Sequence, residues 1–381
     1  MLMRLLPAIA LAVLATACAK REPPSKDYAR ELEPGRLALR EADMAQLPPI
    51  RTTTDGRAEL QRAIAHSLAW LKLPSAERAY ATDVAGLSRQ DVIGGLRLLD
   101  ELLRSHPDDA SLDREVRARF RLYQSVGWDD AGSVLFTAYY TPIFAGSRTR
   151  TAEFRFPLYR KPADLAPNPN PGQARTEPAR RLSTGQPYPP AGELLDSGEL
   201  AGSELIWLRD PWEAYVVQVQ GSAVIRTAEG MVMVGYAGDT GHPYVSVGKE
   251  LIRDGKIPAG VITMPILMAH FRAHPEDVAP YVRRNPRFVF FEENRTGAPR
   301  GSIGVPVTAD VSLATDKRIF PPGALAFSDL PGLSGFRVDQ DTGGGIRAPG
   351  RADLYLGVGE EAERRAGLVN AEGRLFYLVP R

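Results

Sequence analysis

The sequence predicts a mainly β protein of the α+β class, with its longest helices near the N-terminus, and three observations carry that prediction. Glycine and proline number 35 and 32, enough to punctuate many short strands with turns. Long apolar stripes at helical spacing fall between residues 58 and 123, with shorter ones at 246–283. From residue 303 onward, short apolar runs alternate with turns at the spacing of a small barrel. The length, 381 residues, suits two domains. With 47 basic against 46 acidic residues there is no cationic excess to neutralise phosphates, which argues against a nucleic-acid binder.

The first residues read as an export signal: Arg4, an apolar run at 5–14, then Ala15-Thr16-Ala17 before Cys18. That run is too short to span a bilayer as a mature helix. Cys18 is the sole cysteine, so it has no internal disulfide partner. Residues 14–18, Leu-Ala-Thr-Ala-Cys, resemble a bacterial lipobox with the leucine one place early, in which Cys18 is lipidated. Ala19 and Lys20, rather than an aspartate, then point to the outer membrane of a Gram-negative cell. The signal is expected at 1–17 and a polar tether at 18–43.

Leu60, Ile64, Leu68 and Leu71 form one helical stripe, ended at Pro74. Ser88 and Asp91 open a second helix with Val92, Leu96, Leu99 and Leu103 inward. A third is expected from 109 to 123, with Leu112, Val116, Phe120 and Tyr123 inward. Strands follow at 133–140 and 154–159. Residues 161–192 hold eight prolines and no hydrophobic period, which predicts a long loop. Strands resume at 204–208, 214–220, 223–226 and 231–236, with a hairpin turn at 228–230. Helices are expected at 246–254, 264–273 and 275–283, and strands at 287–291, 304–307, 310–314, 324–327, 336–339, 354–356 and 375–379.

Chemistry concentrates in Asp341-Thr342-Gly343-Gly344-Gly345 and in Asp353, twelve residues after Asp341. Three glycines admit positive φ and a close approach by another chain. The two carboxylates meet only if the loop between them folds back, and an aspartate beside glycine also serves simply to cap a turn. Metal ligation finds little support: His270 and His274 are spaced i, i+4 without a third ligand, and a calcium loop opening at Asp339 would need its twelfth-position acid where Gly350 stands. No phosphate loop, serine elbow or cofactor motif occurs, so no cofactor is expected. Three polar, aromatic clusters suit a sugar chain: Phe136-Thr137-Ala138-Tyr139-Tyr140-Thr141-Pro142, Gln218-Val219-Gln220-Gly221-Ser222, and Tyr236 to Tyr244. Read singly, each is also an ordinary strand end with Tyr and Gln satisfied by backbone.

Taken together, these stretches resemble the MltA-type membrane-bound lytic transglycosylases, which cleave peptidoglycan. The family's motifs occur here in order at 136–142, 219–222, 236–244, 285–291 (Asn-Pro-Arg-Phe-Val-Phe-Phe), 320–323 (Phe-Pro-Pro-Gly) and 341–359. Ala138 replaces a glycine, Gly345 an alanine and Arg347 a lysine, and Ala348-Pro349 lengthens the aspartate spacing by one residue. The resemblance implies a double-psi β-barrel from residues 44–142 and 296–381, a second β-rich domain inserted at 143–295, and a groove between them for the glycan strand. It implies that Asp353 is the single general acid/base, with a pKa raised above its usual value of about 3.9 by burial and by Asp341. Asp341 would support it, and Thr137, Tyr139, Tyr140, Gln220, Tyr236, Gly343 and Gly344 would bind substrate. Partners would be peptidoglycan and, through the lipid, a membrane; partner proteins of a cell-wall synthesis complex are left open. A hydrolase using both aspartates and a wall-binding lipoprotein without activity are the alternatives.

Overall fold

The computed structural model describes residues 26–381 apart from 53, 82, 171, 176 and 261. The export signal, Cys18 and the start of the tether lie outside the described residues. The described chain begins with β1 (Leu39–Ala42), followed by α1 (Thr54–Trp70), α2 (Pro74–Ala79), α3 (Arg89–Ser105) and α4 (Asp109–Arg119). Pro74 starts α2 at its first turn, where a missing N–H is harmless. At α3 the expected capping box forms: the Ser88 hydroxyl accepts from the Asp91 N–H, and the Asp91 carboxylate accepts from the Ser88 N–H at 2.9 Å. Val92, Leu96, Leu99 and Leu103 are buried as the stripe requires. The third helix is shorter than expected. Phe120 and Leu122 are buried while Arg121 and Tyr123 are not, a period of two, and Phe120–Ser125 is strand β2, paired antiparallel with β1.

After β3 (Val134–Thr141) the chain builds a second sheet from β4 (Ile143–Ser147), β5 (Phe156–Tyr159), β6 (Glu204–Leu208), β7 (Ser222–Thr227), β8 (Gly230–Asp239) and β9 (Val289–Glu293), in the order β5-β6-β4-β7-β8-β9. The proline-rich stretch holds only isolated bridges, Leu165 to Arg181 and Arg180 to Pro187, before α5 (Ala191–Asp196). The strand expected at 214–220 is instead helix α6 (Pro211–Gln220), with Asp210 as its N-cap and Gly221, at φ 77°, as its C-cap. Ala214 and Val217 pack on the sheet, whereas Trp212, Tyr215 and Val216 pack on α7 (Val247–Arg253), α8 (Met264–Ala273) and α9 (Val278–Val282). Buried on two sides, α6 shows no polar face, and its valines imitate a strand.

The chain then returns with β10 (Ser312–Ala314), β11 (Leu325–Asp329), β12 (Gly335–Asp341), β13 (Arg351–Val358), α10 (Glu360–Ala366) and β14 (Asn370–Pro380). The expected strand at 304–307 is turn structure bridged between Arg300 and Pro306. Strands β14-β11-β12-β10-β13-β3 are joined edge to edge, and β3 pairs back onto β14, so the six close into the double-psi β-barrel implied by the resemblance. Strands β2 and β1 extend it beyond β14. Its filling, including Phe136, Phe320, Phe327, Phe376 and Tyr377, is continuous with the packing of α1 and α3. Among the described residues no helix is long and apolar enough to cross a membrane.

Candidate active site

Strand pairing brings the two aspartates together. In the β3–β13 parallel pair, Thr137 stands opposite Asp353 and Tyr139 opposite Tyr355. Between β12 and β13 runs the short β10, whose Ala314 pairs with Asp341 on one side and with Asp353 on the other. Two strand spacings separate the aspartates' backbones by about 10 Å, with Ala314 as the paired residue between them. The loop at 342–350 thus folds back, as convergence requires. The side-chain period of two also sorts the tyrosines of β3. Tyr139 shares a face with Thr137, while Tyr140 turns into the barrel core, where burial pushes its phenol up beside Glu363 on α10. Tyr140, expected in the substrate site, is therefore core.

The two carboxyls differ in their partners. Asp341 accepts three hydrogen bonds over both oxygens: Tyr139 Oη to Oδ2 at 2.6 Å, and the Ser302 and Thr342 N–H groups to Oδ1, each at 2.8 Å. Burial raises its pKa, and these bonds and the charge of Lys317 pull it back. Asp353 is half-buried and accepts one hydrogen bond among the described residues, from the Thr137 hydroxyl to Oδ1 at 2.8 Å. Burial pushes Asp353 up to about 6; the nearby Arg351 guanidinium and the Thr137 bond oppose the rise, and the Asp341 charge adds to it.

A cavity of about 790 Å³ lies between the barrel and the second sheet. Asp341, Tyr139, Gln220, Tyr236, Gly343 and Gly344 all line it. Its lining reaches β3 and β13 at Tyr139 and Tyr355, one step along the same face from Thr137 and Asp353, which are not in the lining themselves. Gln220 closes the end of α6 against β3, its side-chain oxygen accepting the Tyr140 N–H at 3.1 Å. None of Gly343, Gly344 and Gly345 adopts the positive φ expected of them. What Gly344 provides is space: a Cβ there would stand 3.1 Å from Arg287 Nε. His270 Nε2 lies 3.0 Å from the Asp277 carboxylate.

Several residues of the site were not singled out by sequence. Arg351 donates to Thr137 Oγ1 at 3.2 Å, and the Tyr355 ring lies 5.1 Å from that of Tyr139, tilted by 50°. Both sit two residues from Asp353 in an extended strand, so the period of two carried that signal. Behind Asp341 lies a fully enclosed cluster: Asp339 accepts from Tyr377 Oη at 2.6 Å and Thr315 Oγ1 at 2.7 Å, and forms an ion pair with Lys317.

The sequence matches the MltA specific insert domain over residues 135–292 and the 3D domain over residues 311–379. It is 33% identical over 270 residues to the membrane-bound lytic murein transglycosylase A of Escherichia coli K12, covering 67% of this chain and 68% of that protein. The structure is similar to that of a membrane-bound lytic murein transglycosylase from Agrobacterium tumefaciens, with a TM-score of 0.74 at 24% identity over 91% of this chain and 98% of that one. It is also similar to E. coli MltA with bound chitohexaose, with a TM-score of 0.68 at 24% identity over 94% and 97% of the two chains.

Proposed function

This chain belongs to the membrane-bound lytic murein transglycosylase A family, and we propose that it cleaves the β-1,4 bond between N-acetylmuramic acid and N-acetylglucosamine in peptidoglycan, leaving a 1,6-anhydro ring on the muramic acid. The observation that carries this reading is the inequality of the two aspartates. Both oxygens of Asp341 are occupied by three donors, which fixes it as an acceptor; Asp353 has one donor and a pKa of about 6, so it can hold and release a proton near neutrality.

With one exchangeable carboxyl, no second acid or base stands beside Asp353 among the described residues to activate water, as a glycosidase would require. The nucleophile is then the substrate's own C6 hydroxyl. Protonated Asp353 gives its proton to the glycosidic oxygen as the C1–O4 bond breaks. The resulting carboxylate takes the proton of the C6 hydroxyl as its oxygen bonds C1. Asp353 ends protonated, and no water is consumed. Asp341 steadies the positive charge developing at C1 and is held by Tyr139.

Tyr139, Gln220, Tyr236, Gly343 and Gly344 are proposed to hold the glycan, with Tyr140 withdrawn from that set. The E. coli relative binds chitohexaose, a chain of the same β-1,4 linkage, which supports a groove for sugars. Residues 44–142 with 296–381 would act as the catalytic domain and 143–295 as the insertion. Cys18 would carry the lipid that anchors the enzyme to the outer membrane, facing the periplasm. Digestion of purified sacculi followed by mass spectrometry of the fragments is the test. Anhydro ends are expected; reducing ends would make the protein a hydrolase, and no soluble fragment would make it a wall-binding protein.

A further inference from the structure

The cavity wall built from the proline-rich stretch carries a charge that a neutral sugar chain does not call for. Arg175 lines the cavity at 9% exposure, and its Nε is buried without a partner. Its Nη2 donates to the Ala166 carbonyl at 2.5 Å, and no carboxylate of the described residues forms an ion pair with it. Its position is fixed: its carbonyl accepts from Arg347 Nη2 at 2.8 Å, and Arg347 Nε donates to the Gly344 carbonyl at 3.2 Å, tying Arg175 to the loop after Asp341. Gly241 packs beside it: a Cβ there would collide with the Glu177 carbonyl oxygen and stand 3.0 Å from Arg175 Cδ.

Arg287 shows what the same environment usually demands. It is as buried and lines the same cavity, but Asp239 Oδ2 accepts its Nη2 at 2.7 Å. Arg300 is occupied by the Gly304 carbonyl and Thr296. Lys161 and Arg295 add two basic groups to the lining without an ion pair among the described residues; of the two glutamates in the lining, Glu293 is paired with Arg148 and Glu292 is exposed and forms no ion pair with Arg175. An unpaired buried guanidinium is expensive unless an anion arrives with the ligand.

Resting on the reading of the site as a peptidoglycan groove, we propose that Arg175 binds a carboxylate on the branch borne by muramic acid. That carboxylate belongs to the peptide where one is attached, the lactyl carboxyl then being an amide, or to the lactyl group where the peptide has been removed, and both present the same chemistry to a guanidinium.

The test measures Kd in the Asp353→Asn protein for three probes: peptide-bearing glycan strands, strands stripped by an amidase so that the lactyl carboxylate is bare, and chitohexaose, which has no branch. Arg175→Gln is expected to weaken anionic strands about tenfold relative to chitohexaose, and Arg175→Lys to restore part of that. Selective loss on peptide-bearing strands alone assigns the peptide; loss on stripped strands assigns the lactyl group. Equal loss on all three probes, or none, overturns the proposal. Should Arg175→Gln fail to fold, Arg175→Lys decides: it must weaken the branched strands relative to chitohexaose, and an unchanged ratio overturns the proposal. Cleavage by the Asp353→Asn protein would instead sink the catalytic reading, and so the two failures are told apart.

Discussion

Asp339 and Asp353 lie in the same barrel with one strand between them, and burial pushes both carboxyls upward. Around Asp339 the barrel is closed: Lys317, Thr315 and Tyr377 converge on it, and it is wholly inaccessible. Around Asp353 the surroundings are sparser: one hydroxyl reaches the carboxyl, no ion pair forms there among the described residues, and the residue is only half-buried. Desolvation alone therefore does not make an acid. A carboxyl whose lone pairs are filled by fixed donors and a cation has become structure, and one left with a single hydroxyl partner is the one the proposed mechanism asks to transfer a proton.

The largest expected effect breaks the comparison at its open end. Asp353→Asn preserves shape and the Thr137 contact but removes the proton, and turnover is expected to fall by roughly 100-fold to 10,000-fold with chitohexaose affinity kept. Steady-state release of soluble fragments from sacculi, beside a binding isotherm, measures both. A variant that turns over at the parent rate would leave Asp353 with no more role than Asp339.

At the closed end the effect is on folding. Lys317→Met strands the Asp339 carboxylate inside the barrel and is expected to destabilise by about 3–5 kcal/mol in denaturant unfolding, as breaking a buried pair does. Adding Asp339→Asn should recover much of the loss, because the neutral pair no longer needs a cation. If Lys317→Met is as stable as the parent, the cluster does not hold the barrel, and the contrast with Asp353 loses its closed member.

Much of this contrast was readable in the chain, and what was not has physical causes. Asp341 and Asp353 could be named as a pair, and Ser88 with Asp91 announced a helix, because their signals are local. The convergence of the pair on Ala314 was not readable, since it depends on a parallel and an antiparallel pairing made at once by a three-residue strand. Ala214 to Gln220 misled because a helix buried on two sides has no amphipathic period, although Asp210-Pro211 before it is a helix start. Phe120 extended one helix's stripe while beginning a strand; both periods fit it, and pairing to β14 decided. Arg175 sits in a stretch with no period, tied to Arg347 across 172 residues, and nothing in its neighbourhood singles it out.

The smallest effect sharpens the comparison through pH. On the proposed mechanism the working form of Asp353 carries its proton, so in the parent kcat/KM is expected to fall as pH rises through about 6. Arg351 acts on that limb from a distance: its Nη2 donates to Thr137 Oγ1, whose own hydrogen goes to Asp353, and the nearby positive charge favours the carboxylate. Removing the charge disfavours the carboxylate. Arg351→Gln should therefore move the alkaline limb upward and keep the enzyme active at a pH where the parent has faded, even if its peak rate is lower. Arg351→Lys, which keeps a cation without the planar fork, should return the limb most of the way. A profile that shifts downward, or does not move while the rate falls, would show Arg351 holding Thr137 in place rather than setting the acid's proton affinity.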